Sequence, residues 1–154
     1  MIIKGKDLSI SIKEALKVRV AVLNDQYGRT PHLAVILVGD DPGSVSYVTG
    51  KAKAATEIGI RNTTIRREAT ILESELLELV EQLNQDDDVD GILVQLPLPK
   101  HISESKVIAA ISPEKDVDAF HPMNVAKLWL KQSCMLPCTP KGIIKLLHFA
   151  GVDI

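Results

Sequence analysis

Residues 32–59 read HLAVILVGDDPGSVSYVTGKAKAATEIG, and this stretch contains the clearest signals for a strand, a turn and a helix in the chain. Its first seven residues are nearly continuous in Leu, Ala, Val and Ile, which is typical of a parallel strand covered on both faces. The strand ends at Gly39, and the Asp-Asp-Pro that follows can start a helix, because proline fits the first helical turn. This helix would hold Tyr47 and Lys51 and stop near Gly59. The stretch therefore predicts one strand–turn–helix unit of an α/β protein.

The rest of the chain continues this alternation. An amphipathic first helix at 9–23 places Ile12, Leu16, Val20 and Leu23 on one face. Further strands are predicted at 60–66 and 91–96, further helices at 73–84, 103–110, 124–130 and 140–150, and a loop at 112–122. Because strands that alternate with helices pair in parallel, we predict a mostly parallel sheet flanked by helices, formed as one domain.

Composition excludes several classes of function. The chain has 18 basic and 20 acidic residues spread along it, so no basic stripe is available for a nucleic-acid backbone. Its two cysteines, Cys134 and Cys138, make neither a disulfide framework nor a zinc site. We see no signal-peptide pattern and no apolar run long enough to span a bilayer. We therefore expect a cytoplasmic protein that binds no nucleic acid, membrane or metal.

Three polar residues of the second helix point to chemistry. Tyr47 and Lys51 are four residues apart and share a helix face, and Ser44 lies one turn earlier. A lysine partly buried in a pocket has a lowered pKa and can exchange protons near neutral pH. The tyrosine could stack on a planar ligand beside it. The alternative is an ordinary solvated lysine on a surface helix.

Gln95 interrupts an otherwise apolar strand that Pro97 terminates. A buried amide needs partners, and the carboxyl ends of parallel strands are where α/β proteins bind ligands. Gln95 is therefore either a ligand-binding residue or an amide satisfied by neighbouring backbone.

Asp116 and Asp118 flank Val117 and can face the same side of an extended segment. One carboxylate can accept two parallel N–H bonds from an aminopyrimidine-like ring, as it does from arginine. The alternative is a loop that caps the helix at 124–130. His121 precedes a proline in this loop, and we expect it to be structural.

The turn GDDPGS at 39–44 is not a phosphate-binding loop. It has too few glycines and places two aspartates where an anion would sit. The chain has no GxGxxG motif, no P-loop and no GxSxG elbow.

Five segments carry a family resemblance when they are taken in order. They are GDDPGS at 39–44, YVTGKAKAATEIGI at 47–60, GILVQLPLP at 91–99, PEKDVDAFHPMNVAKL at 113–128 and PCTPKG at 137–142. Together they resemble the catalytic domain of the bifunctional methylenetetrahydrofolate dehydrogenase/cyclohydrolase family. The resemblance implies an α/β domain that forms one wall of a folate cleft.

The resemblance also implies roles for individual residues. Lys51 matches the catalytic lysine that assists proton transfer, and Tyr47 matches the tyrosine that packs over the pterin. Gln95 matches a glutamine that hydrogen-bonds near the lysine, and Asp118 matches the carboxylate that holds the pterin ring. The other expected residues of the substrate pocket are Val94, Leu96 and Pro97, with Ser44, Cys138 and Thr139 in support.

The implied activity is oxidation of 5,10-methylenetetrahydrofolate with NADP or NAD, followed by hydrolysis to 10-formyltetrahydrofolate, without a metal. Family members continue past the PCTPxG motif through a connecting helix into a Rossmann-type cofactor domain, which we expect to be missing from residues 1–154. We therefore expect a folate-binding catalytic domain that includes the start of the interdomain helix and is capable of the hydrolytic half alone, with a homodimer as a further expectation. The alternatives are a non-catalytic folate-binding or assembly module and an inactive fragment.

Two alanines depart from the family pattern. Ala119 and Ala126 stand where the family has glycines. If either glycine requires a positive φ or a close backbone approach, alanine would distort the loop beside Asp118 and weaken pterin binding.

Overall fold

A computed structural model describes residues 3–153, and the predicted alternation of strands and helices is confirmed there. Met1, Ile2 and Ile154, the ends of the predicted domain, lie outside the described residues. The elements in chain order are α1 (Gly5–Tyr27), β1 (His32–Val38), α2 (Pro42–Ile58), β2 (Arg61–Arg67), α3 (Glu73–Gln85), β3 (Gly91–Val94), α4 (Glu104–Ala110), α5 (Pro122–Trp129) and α6 (Cys138–Phe149). No helix of residues 3–153 is both long and apolar enough to cross a membrane.

The three strands form one parallel sheet in the order β2-β1-β3. The central strand β1 pairs with β2 from His32 opposite Arg61, and with β3 from Leu33 opposite Gly91. A parallel sheet needs helical crossovers, and α2 and α3 supply them. The predicted fold class is therefore confirmed, and residues 3–153 contain no second sheet for a cofactor domain.

The two faces of the sheet belong to different apolar clusters. Because strand side chains alternate, Ala34, Ile36 and Val38 of β1 face one side, while Val35 and Leu37 face the other. The first side, which we name the closed face, packs against apolar residues of α3 and α4, including Leu76, Val80 and Val107. The second side, which we name the open face, packs against Val48 of α2.

The turn between β1 and α2 is built by its own residues. The Asp41 carboxylate accepts a hydrogen bond from the Ser44 N–H at 2.8 Å and so caps the first turn of α2. Hydrogen bonds from the backbone and the side chain of Ser44 lower the pKa of Asp41. Gly59 ends the same helix with a φ of 85°, a left-handed conformation that glycine adopts without strain.

Some element ends differ from the sequence-based expectation. β3 ends at Val94 rather than at residue 96, although the Gln95 N–H still donates to the Ile36 carbonyl at 2.9 Å. Pairing stops there because Pro97 has no N–H to donate. α1 extends beyond both predicted ends, and Leu23 of its expected buried face is 40% exposed. α6 begins at Cys138, two residues earlier than predicted.

Candidate active site

Lys51 lies in the middle of α2, over the open face of the sheet. Its side chain is partly buried, and its Nζ donates a hydrogen bond to Gln95 Oε1 at 3.1 Å. The two residues are 44 positions apart in the sequence and meet because α2 crosses the sheet antiparallel to the strands. Lys51 is therefore not the ordinary solvated lysine of the alternative interpretation.

The orientation of the Gln95 amide is fixed from both ends. Its Nε2 donates to the Leu96 carbonyl at 2.7 Å, so its Oε1 is left to face Lys51. The interpretation as an amide satisfied by its neighbours is therefore confirmed, because the Leu96 carbonyl satisfies the donor and Lys51 satisfies the acceptor, while a role of Gln95 in ligand binding stays a prediction. A lysine held by a fixed acceptor keeps its position without an ion pair.

A cavity of about 410 Å³ opens beside Lys51. Most of its lining is apolar, and Lys51 and Asp118 are charged groups at its wall; the lining residues are Pro31, His32, Leu33, Lys51, Ile60, Asp90, Gly91, Leu93, Val117, Asp118 and Cys138. Its lining includes Pro31, His32, Ile60, Asp90 and Gly91, which lie at or just before the amino ends of the strands, so the cavity extends along the open face from that end and does not lie at the carboxyl ends. Lys51 reaches this cavity because it lies nine residues into α2 and therefore over the middle of the sheet.

Two carboxylates line this cavity: Asp90, which accepts from the His32 N–H at 2.8 Å and pairs with Arg29, and Asp118. The side chain of Asp118 is partly buried, and burial raises its pKa above the ordinary value of 3.8. The positive charge of Lys51 opposes this rise, and the negative charge of Asp116 adds to it. Lys51 and Asp118 therefore line the same cavity, and the positive charge of Lys51 acts on the Asp118 carboxyl group.

Asp116 has a different role from Asp118. It is 2% exposed, and its Oδ2 accepts hydrogen bonds from the His121 N–H at 2.8 Å and from Asn124 Nδ2 at 2.9 Å. His121 is structural as expected, because its Nδ1 accepts from the Met123 N–H at 3.0 Å and caps α5. Asp116 therefore holds the loop itself together and does not cap the helix, and the role of Asp118 in ligand binding stays a prediction.

The remaining predicted residues divide between the cavity and its surroundings. Cys138 lines the cavity, and its Sγ lies 3.7 Å from the Val117 carbonyl oxygen. Val94 and Leu96 border a narrow crevice that Asp118 also lines. Tyr47 is 69% exposed and stands outside the cavity lining, as do Ser44, buried at the start of α2, and the exposed Pro97 and Thr139.

The two alanines that depart from the family pattern have unequal consequences. Ala119 is 2% exposed and has a φ of 57°, so it does occupy a conformation that favours glycine. Ala126 is an exposed residue inside α5, where alanine is the better helix former. The concern about the loop therefore applies to Ala119 and not to Ala126.

Several residues of the site were not singled out from the sequence. The apolar character of Leu33, Leu93 and Val117 indicated core residues, and the position of Asn124 indicated only the start of a helix. The one available signal was an amide inside an apolar segment, which Asn124 shares with Gln95. Within residues 3–153, no group of three or more His, Cys, Asp or Glu side chains is placed to hold a metal ion.

Comparison with known proteins identifies the family of the chain. The family model described as the catalytic domain of tetrahydrofolate dehydrogenase/cyclohydrolase matches residues 3–118. The chain belongs to this family. A bifunctional protein FolD from Exiguobacterium sp. is 56% identical to it over 146 residues, which are 95% of this chain and 52% of that protein.

Solved structures of the tetrahydrofolate dehydrogenase/cyclohydrolase family superpose closely on the chain. The bifunctional enzyme FolD of Campylobacter jejuni has a TM-score of 0.96 and 48% identity, covering 99% of this chain and 54% of its own. The Trypanosoma brucei enzyme, solved with NADP cofactor and inhibitor, also has a TM-score of 0.96, with 36% identity, covering 100% of this chain and 53% of its own. The chain therefore spans about half the length of the relatives it matches.

Proposed function

We propose that this chain binds a reduced folate in the cavity beside Lys51 and supplies the proton-transfer residues of a methenyltetrahydrofolate cyclohydrolase. The observation that carries the proposal is the 3.1 Å hydrogen bond from Lys51 Nζ to Gln95 Oε1, next to the Asp118 carboxylate. Membership of the tetrahydrofolate dehydrogenase/cyclohydrolase family supports it.

The chemistry of hydrolysis explains why a lysine is needed there. Water adds to the cationic methenyl carbon and loses one proton, which leaves a neutral hydroxyl adduct. The bond from this carbon to one ring nitrogen then breaks as that nitrogen gains a proton, and the hydroxyl loses its own proton to become the formyl carbonyl. The products are the formyl compound and one released proton. A partly buried amine beside the carbon can take the proton from water and return one to nitrogen, and such catalysis contributes about 10²–10⁴-fold.

Asp118 and Tyr47 would position the folate. An ionised Asp118 can accept two parallel N–H bonds from the aminopyrimidine edge of the pterin. Tyr47 lies one helical turn before Lys51 and is 69% exposed, so its ring is free to cover a bound pterin. Val94, Leu96 and Pro97 would form the apolar edge of the site, and Ser44, Cys138 and Thr139 would support it.

The start of α2, which follows the central strand β1, does not fit the pyrophosphate of a dinucleotide. A pyrophosphate site needs free backbone N–H groups at a helix start, whereas the Asp41 carboxylate already accepts from the Ser44 N–H at the start of α2. A phosphate there would also face the negative charge of Asp40 and Asp41. We therefore derive no hydride step from this chain and assign NADP or NAD, used in the dehydrogenase step, to a second domain.

An apolar groove supports the proposal that a second domain packs against the folate domain. α6 has no buried residue, Trp129 at the end of α5 is 84% exposed, and a cavity of about 430 Å³ lies between the two helices. Leu128, Leu136 and Ile144 line it. Apolar surface of this kind marks an interaction site. In this proposal α6 is the start of the interdomain helix, the homodimer is a further possibility for the same surface, and the protein works in the cytoplasm.

Hydrolysis of 5,10-methenyltetrahydrofolate by this chain tests the proposed function. We expect Lys51→Met to lower the rate about 100-fold or more, because the group that exchanges protons is removed. Lys53→Met is the matched control, since Lys53 is an exposed lysine of the same helix. Circular dichroism checks that both variants fold.

The alternatives predict different results. Equal rates for the unchanged chain and Lys51→Met would contradict the assignment of this lysine. Binding of a reduced folate without hydrolysis would favour the non-catalytic binding module, and a folded chain that does neither would favour the inactive fragment.

A further inference from the structure

We propose that Asp116 and Asn124 are positioning residues that hold Asp118 against the folate cavity. This inference rests on the proposed function, because it assigns how the folate-binding carboxylate is placed. Neither residue lines the cavity, so each would act through Asp118.

The segment that carries Asp118 is attached to the edge of the sheet. The Ile92 N–H of β3 donates to the Lys115 carbonyl at 2.7 Å, and Ile92 pairs with Asp116 as an isolated parallel bridge. Gly91 makes room for this segment, because a Cβ built on Gly91 would lie 2.5 Å from Val117 Cγ1. Residues 115–117 therefore have one fixed position along β3, which brings Asp118 to its end.

Beyond Asp118, the chain must turn sharply. Ala119 takes a φ of 57° and the next helix, α5, begins at Pro122. A residue in this strained conformation persists only where the surroundings fix it. The buried pair Asp116 and Asn124 closes this turn, since one lies before it and the other after it.

The hydrogen bonds of the pair span the whole loop. Asn124 Nδ2 donates both to Asp116 Oδ2 and to the Pro113 carbonyl, each at 2.9 Å, and Asp116 Oδ2 also accepts from the His121 N–H. Asp116 and Asn124 are each 2% exposed, so water does not replace these bonds. A buried carboxylate whose donors are removed is costly, and the loop would move to find others.

Capping of α5 does not explain Asn124. His121 already caps this helix through the Met123 N–H, and the Asn124 side chain points back to residues that precede the helix. The amide is thus dedicated to the loop that carries Asp118, which is the arrangement expected of a positioning residue.

Asn84 provides a matched control for this pair. It is an asparagine of α3 whose side chain binds the start of the same loop, with Oδ1 accepting from the Ser112 N–H at 2.8 Å and Nδ2 donating to the Ala110 carbonyl at 2.7 Å. Asn84→Ala removes these two side-chain hydrogen bonds and a longer third one, from Nδ2 to Glu81 Oε2 at 3.4 Å, and Asn124→Ala removes the two made by the Asn124 side chain. Asn124 binds the loop next to Asp118, whereas Asn84 binds only the start of the loop, farther from Asp118 along the chain.

The experiment is calorimetric titration of the chain with 5-formyltetrahydrofolate, a reduced folate that is not hydrolysed during the measurement. We expect Asn124→Ala to weaken binding about 10-fold or more, a loss of about 1.4 kcal/mol. Asn84→Ala should bind within about 2-fold of the unchanged chain, although urea unfolding should show both variants to be destabilised.

The pH dependence of binding gives a readout that a purely structural role would not change. Affinity should fall as the pH drops through the pKa of Asp118, since the ionised carboxylate is the acceptor. Asp116→Asn removes the negative charge that raises this pKa, so the fall should move to lower pH, whereas Asn84→Ala should leave its midpoint unchanged. Asp116→Asn also keeps the side-chain volume and replaces Asn124→Ala if that variant does not fold.

The outcomes separate this inference from the proposed function. Weaker binding by Asn124→Ala with normal binding by Asn84→Ala would support the positioning role. Normal binding by the unchanged chain and by Asn124→Ala, or an unmoved midpoint in Asp116→Asn, would overturn the inference alone. Absence of binding by the unchanged chain would overturn the proposed function and the inference with it.

Discussion

The closed face of the sheet and its open face differ in how they are filled. Among residues 3–153, the cluster on the closed face has thirteen buried apolar residues, and the cluster on the open face has four. The space left on the open face is the cavity of about 410 Å³ with Lys51 and Asp118 in its wall. This difference indicates that the closed face supplies most of the stability of the fold, and that the open face leaves space for a ligand.

The largest expected effect is on the closed face. Leu76 is fully buried in α3, and Leu76→Ala should lower the free energy of unfolding by about 3–5 kcal/mol, because it leaves a cavity that the sheet cannot fill. Tyr47→Ala, an exposed position over the open face, should change it by less than about 0.5 kcal/mol. Urea unfolding followed by circular dichroism measures both, and similar losses would refute the division between the faces.

Two neighbours on β1 test the same division by added volume. Ala34 points into the closed face and Leu33 lines the cavity. Ala34→Leu should destabilise the chain by about 1–3 kcal/mol through overpacking, whereas Leu33→Phe has free volume to enter and should cost less than about 1 kcal/mol. The reverse order of the two midpoints in urea would show that the cavity closes in solution.

The loop beside Asp118 is expected to be sensitive to the shape of residue 119. Ala119→Val places a β-branched side chain at a φ of 57° and should lower the free energy of unfolding by about 1–2 kcal/mol. Ala126→Val is the control, because Ala126 is exposed in a helix and the change should cost about 0.5 kcal/mol. Equal thermal midpoints for the two variants would mean that the loop relaxes without cost.

The smallest expected effect is the pH dependence contributed by Asp118. Its pKa is raised in the folded chain, so the folded state holds this proton more tightly than the unfolded state. The corresponding stability is full below the ordinary value of 3.8 and is lost as the pH rises through the raised pKa. Asp118→Asn should therefore be more stable than the unchanged chain at pH 7, with the gain shrinking toward pH 3. A gain that is independent of pH would contradict this account.

Much of the fold could be predicted because its signals are local. The apolar run of β1 and the proline and glycine at the two ends of α2 mark their elements without reference to the rest of the chain. Element ends depended also on register between distant strands: β3 stops at Val94 because Pro97 is the next residue placed to donate to β1, and this placement follows from the pairing of β3 with β1. Leu23 was expected to be buried because it shares a helix face with other apolar residues of α1. It is 40% exposed, because burial depends on which elements pack against α1, and the pattern within the helix does not contain that information.

The site could be predicted in part for the same reason. Helix periodicity indicated Lys51, and the family resemblance indicated a glutamine near it; the structure shows the hydrogen bond between Lys51 and Gln95 across 44 residues of sequence. The cavity on the open face and the Asn124 contact with Asp116 depend on how α5 and β3 pack, which no local pattern contains. Leu33 and Leu93 have the same apolar character as core residues, so composition alone does not separate a cavity wall from a core.

The segment 115–117 also protects the sheet. An unpaired strand edge is a template for pairing with other chains, and β3 lies at one edge of this three-stranded sheet. Bonding of Ile92 to Lys115 and Asp116 covers that edge with the same residues that lead to Asp118. Loosening this segment would expose a short apolar strand to neighbouring molecules, so its retention in place favours a dispersed protein over an aggregated one.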